Sequence, residues 1–258
     1  MRLMKRILSA AAVLALSASL LVGCSSGTAS SVPVSASSAA ESTVSSVEET
    51  ASSAVDENEA AATQLLNDLT GSYQELWPVI LADEYKQTWL DDCTALVGEE
   101  NAEAAFEKLS SMVTSDVYGE DAVEAYANGG GAYFCGFTNS LATLTFDGET
   151  STISGTDKDG NVLFSHTYHY IGMEPVHGLY EFESDDADSG EFTYFFLAPD
   201  TSAETYHIEF RYGSDADALS QYDAGDYAYW LASGISTDCD QTMIDNCIEL
   251  FCTENLAG

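Results

Sequence analysis

The sequence predicts a mostly β protein with helices: an antiparallel up-and-down barrel flanked by N-terminal helices and a C-terminal helix. Three observations predict it. Residues 57 to about 127 carry apolar side chains at helical spacing, residues beyond 141 switch to a period of two, and the C-terminal segment returns to helical spacing. Strands that follow one another through short turns pair antiparallel in meander order, and that order closes into a small barrel rather than a parallel sheet.

The chain opens on "MRLMKR" and an apolar, small-residue run to Leu21, the form of a secretory signal and too short for a stable membrane span. It ends in "LVGC", Leu21 to Cys24, which resembles a bacterial lipobox; residues 1–23 are thus expected to be a lipoprotein signal peptide and Cys24 the lipidated N-terminus. Residues 24–59 are rich in Ser, Ala and Glu, with neither aromatics nor periodicity. Such a segment buries too little apolar surface to offset the entropy of ordering it, so it is expected to be a disordered tether. Residues 60–258 then form one domain, long enough for a sizeable core. The expected location is the outer face of the membrane, at the cell surface or in the periplasm.

Within the domain, "NEAAATQLLNDL", "YQELWPVILADEYKQTWLDDCTALV" and "AEAAFEKLSSMV" read as helices, with Pro78 kinking or restarting the second. The glycines at 129–131 end this half as a loop. Hairpin signals follow at Asp147-Gly148 and Asp159-Gly160. "DKDGN" lacks the spacing and closing glutamate of a calcium loop and reads as a turn. "GLYEFES", "EFTYFFLAP" and "TYHIEFRY" are further strands, giving six or more in all. The tail places Met243, Ile244, Cys247, Ile248 and Phe251 on one helical face, and Thr237 with Asp240 suggests the cap.

Charge narrows the partners. Once a signal ending before Cys24 is removed, only Lys86, Lys108, Lys158 and Arg211 oppose 43 acidic residues. A field of that sign repels nucleic acid and anionic lipid while concentrating cations. Five cysteines remain beside Cys24, namely Cys93, Cys135, Cys239, Cys247 and Cys252, so an exported chain can form one or two disulfides with at least one thiol left over. No C-x-x-C pair is present, which speaks against a cysteine zinc site or a redox dithiol. No G-x-S-x-G elbow appears and nothing selects a pair of acids, so no enzyme activity is expected.

The four histidines are His166, His169, His177 and His207. Residues i and i+2 of a strand face the same way, so His207 and Glu209 present an imidazole and a carboxylate to one side, a combination zinc accepts. A second reading stands beside it: Tyr206, Ile208, Phe210 and Tyr212 form an apolar face, which leaves Thr205, His207, Glu209 and Arg211 as an ordinary solvated one. His166 and His169 point to opposite faces. His169 or His177 is a candidate to complete a site with His207.

The sequence also resembles a known group. "LTGSYQELWPVI", through Gly71, Tyr73, Gln74, Trp77 and Pro78, is similar to the opening motif of the ZinT family of exported zinc- or cadmium-binding proteins; "FFLAP" and "HIEFRYGSDADALSQY" resemble its penultimate strands and late helix. The resemblance implies a lipocalin-like (calycin) barrel and a three-histidine metal site. Two of those positions fall on His207 and Glu209 and the third on Phe196, which cannot bind metal, so the site is degenerate and weak binding is implied. The implied function is capture of a divalent ion, zinc first and cadmium or another ion otherwise, for uptake through the binding protein of a metal ABC transporter, with the membrane reached through the lipid on Cys24. Proton competition is expected near pH 6.5, where an unperturbed imidazole titrates. The alternatives are a metal-free barrel that holds a small apolar or aromatic ligand against Phe196 and the tyrosines, or a surface interaction lipoprotein.

Overall fold

In a computed structural model, residues 57–127, 129–199 and 207–256 are described. The signal peptide, Cys24, Thr205 and nearly all of the tether lie outside them. The end of the tether does not: 57–59 already belong to helix α1, which covers 57–68.

Eight strands form a closed antiparallel barrel in sequence order: β1 Gly71–Glu75, β2 Thr143–Asp147, β3 Thr152–Thr156, β4 Val162–Met173, β5 Tyr180–Ser184, β6 Tyr194–Leu197, β7 His207–Gly213 and β8 Ala232–Ser236. β8 closes on β1 through Tyr73↔Ser236, Gln74↔Ile235 and Glu75↔Gly234. The helices after α1 are α2 Leu76–Ile80, α3 Lys86–Val97, α4 Glu99–Ser111, α5 Glu120–Ala125, α6 Ala216–Leu219 and α7 Gln241–Leu256.

Alternation sends one set of side chains into the barrel. Tyr73, Leu144, Phe146, Ile153, Phe182, Phe195, Phe210 and Tyr212 belong to one buried cluster, and Phe195 and Tyr212 pair across β6 and β7. The Tyr212 hydroxyl donates to the Thr138 carbonyl at 2.9 Å and accepts from the Thr138 amide at 2.7 Å, which satisfies a phenol that burial keeps protonated. Leu65, Leu66 and Leu69 of α1 and the residue after it join the same cluster. The α1 backbone comes so close to the β2–β3 turn that a Cβ on Gly148 would sit 2.4 Å from the Asn67 Cα. Only a residue without a side chain fits there.

A second core lies outside the wall formed by β7, β8 and β1. Trp77, Trp89, Ile235, Ile248 and Phe251 pack together there, with Phe251 edge-on to Trp77 at 4.7 Å and to Trp89 at 5.8 Å. The Trp89 indole N–H donates to the Ile80 carbonyl at 2.7 Å, which ties α3 to the end of α2.

Two expectations change, and one strand is added to those foreseen. The segment expected as helix from 73 onward begins as strand β1, and Pro78 falls within a new short helix, so the helix restarts at Leu76. β8 lies in "DYAYWLASGIS", where no period of two is visible because its residues are buried on both faces. Asp240, not Thr237, caps α7: its carboxylate accepts from the Met243 amide at 3.0 Å, while the Thr237 amide extends the β8–β1 pairing by donating to the Ser72 carbonyl at 2.8 Å.

Candidate functional site

β7 carries the site. Ile208, Phe210 and Tyr212 belong to the barrel core, and His207, Glu209 and Arg211 therefore point outward. The outward face is largely covered: Glu209 is 7% exposed, Arg211 is fully buried and His207 is half-buried. The second core covers Glu209, whereas Arg211 is covered by the segment from Leu219 to Tyr227. His207 pairs with Ile235 and Glu209 with Ser233 across β7 and β8, beneath the layer built by α2 and α7.

Between β7 and that layer is a narrow cavity of about 20 Å³, lined by His207, Glu209, Cys247 and Glu254 together with apolar groups such as Trp77 and Phe251. That volume is about one water or one bare ion. Alternate residues of a strand sit about 6.6 Å apart along the chain, so an imidazole and a carboxylate at 207 and 209 can both reach a particle lodged between them.

Burial sets the protonation states. It pulls the His207 imidazole down to about 4, so the ring is neutral at ordinary pH, the form in which it binds metal. The expectation of proton competition near 6.5 held for an unperturbed imidazole, and desolvation moves it down. The Cys247 thiol is pushed up to about 12, first by burial and then by the negative charge of Glu209 and by Cys239. Burial and then Glu209 raise Cys135 as well. The Glu209 carboxylate thus lies close enough to both sulfurs to act on them.

The other sequence candidates are held elsewhere. His169 is on β4, three strands from β7, and its Nδ1 bonds the Asp185 carboxylate at 2.7 Å. His166 makes the matching contact to Asp186 at 2.7 Å. His177 lies in the β4–β5 loop with its ring edge-on to Tyr222 at 4.0 Å, and burial lowers its pKa. Neither His169 nor His177 lines the cavity beside His207. Phe196 is fully buried and pairs with Arg211, on the face of β6 opposite Phe195, so it does not line the barrel interior. Arg211 is locked by donation to the carbonyls of Leu219, Gln221 and Tyr227, with its guanidinium 4.3 Å over the Tyr222 ring. A larger cavity of about 300 Å³ lies beside α2, lined by Trp77, Pro78, Val113 and Phe134 among others.

Cys247 and Glu254 were not among the sequence candidates. Their spacing of seven, with Phe251 between, places them on one face of α7, and that signal was present in the sequence. Among the described residues no group of three His, Cys, Asp or Glu side chains already converges in a way that could hold a metal ion.

No protein-family model matches the chain. No curated protein matches it either. Among solved structures, the chain is similar to the Zn(II)-bound ZinT-like domain of Streptococcus pneumoniae AdcA, with 14% identity, a TM-score of 0.45, and coverage of 71% of this chain and 89% of that one. It is also similar to Zn(II)-bound AdcA from the same organism, with 12% identity and a TM-score of 0.42, covering 72% of this chain and 35% of that one.

Proposed function

We propose that the protein is an exported lipoprotein of the ZinT type that captures a divalent ion, zinc first, outside the cytoplasmic membrane and holds it for uptake by a metal transporter. The observation that carries this reading is the pairing in one ion-sized cavity of a neutral imidazole, His207, with a carboxylate, Glu209. Zinc takes both ligand types, and its remaining positions are filled by water or by a donor from α7, where Cys247 and Glu254 line the same cavity. Because no third donor among the described residues is already in place, binding is weaker than in a three-histidine site. The acidic surface draws cations toward the protein from solution.

The test is retention. Protein dialysed against micromolar zinc and desalted is expected to keep about one zinc per chain; His207→Ala and Glu209→Ala are expected to release it, and His169→Ala and His177→Ala to leave it in place. Retention untouched by His207→Ala rejects the site. No retention by the unaltered protein rejects metal capture and favours a barrel protein that takes a small apolar ligand or a protein partner.

A further inference from the structure

The second core contains a chemical feature that metal capture does not use. Cys93 on α3 and Cys252 on α7 face each other with their sulfurs 3.9 Å apart, and both side chains are fully buried. The two helices pack against one another, so the sulfurs are held face to face by elements that move together. The other described thiols have different surroundings: Cys135 contacts the Tyr133 carbonyl, Cys247 faces Glu209, and Cys239 is half-buried just before α7.

We infer that Cys93 and Cys252 form a disulfide in the exported protein, closing a loop across 159 positions of chain and fastening α7 over β7. A bond of about 2.05 Å needs the sulfurs to approach by rotation about the Cα–Cβ bonds and a small shift of the helices. The two thiols lose two protons and two electrons; the electrons pass by thiol–disulfide exchange to an oxidant of the disulfide class, which is reduced to its two thiols. Exchange needs a thiolate, and burial raises the pKa of both groups, so exchange is slow in either direction once α7 is docked.

The inference rests on the export expected from residues 1–24, and the experiment separates the two. Full-length protein is reduced, unfolded, refolded in a mixture of glutathione and glutathione disulfide, then unfolded again, alkylated and digested for mass spectrometry. Since the buffer supplies the oxidant, the result does not depend on where the protein resides. The expected product is a peptide pair joined through Cys93 and Cys252, with Cys135, Cys239, Cys247 and any Cys24 that carries no lipid alkylated. Dithiothreitol is expected to lower the Tm of the oxidised protein by about 10 °C, and to leave Cys252→Ala unchanged. Alkylation of Cys93 and Cys252 along with the rest, or their linkage to other cysteines, overturns the inference.

Discussion

Metal-free protein should lose stability in acid through His207, and the amount follows from its burial. In the unfolded chain the imidazole titrates near 6.5, whereas under α7 it is held down to about 4. Between those values the unfolded state takes up a proton that the folded state refuses. The contribution is therefore fully present above pH 6.5 and disappears as the pH falls through 4. At about 1.4 kcal/mol per tenfold change in proton affinity, it amounts to about 3 kcal/mol. His207→Gln removes the titration while keeping a neutral polar side chain. Urea unfolding in chelator at several values between pH 7.5 and 4 is the assay, and the quantity to follow is the difference between protein and variant at each pH. His177, whose pKa burial also lowers, acts equally in both and cancels. The protein should lose about 3 kcal/mol more than the variant across this range. Parallel losses would refute the claim that desolvation beneath α7 holds His207 in its neutral form.

Two further outcomes test the scaffold. Phe251→Ala removes the ring that meets both Trp77 and Trp89, and should cost about 3–5 kcal/mol in urea unfolding, because packed helices on a barrel wall close such a gap only in part. Arg211→Ala leaves the Leu219, Gln221 and Tyr227 carbonyls without their donor and should cost at least about 3 kcal/mol; Arg211→Lys should not restore this, since an ammonium lacks the planar fork that serves several carbonyls at once.

Sequence pattern was most informative where a strand has one wet face and one dry one. β4 alternates buried Phe164 and Tyr168 with exposed Ser165, Thr167 and His169, and it reads as a strand without help. β7 alternates equally well in its residue types, yet Glu209 is covered by α7, thirty and more residues further along the chain, and Arg211 by the segment from Leu219 to Tyr227. That is why the solvated reading fails for Glu209 and Arg211, while His207 stays half-buried. Five-residue β1 and the small-residue β8 leave too short or too uniform a pattern to register. The pairing of 207 with 209 was legible from the geometry of any strand. The donors facing it from α7 were legible only as a helical face, and which wall that face covers is tertiary information.

The central claim is that zinc lodges between β7 and α7. Anomalous diffraction at the zinc edge from crystals grown with the metal tests it most directly. The account predicts one strong peak about 2.0–2.1 Å from a ring nitrogen of His207, with a Glu209 oxygen at about 2.0–2.2 Å. A peak at His169, His177 or the surface acids, with none beside His207, would contradict it.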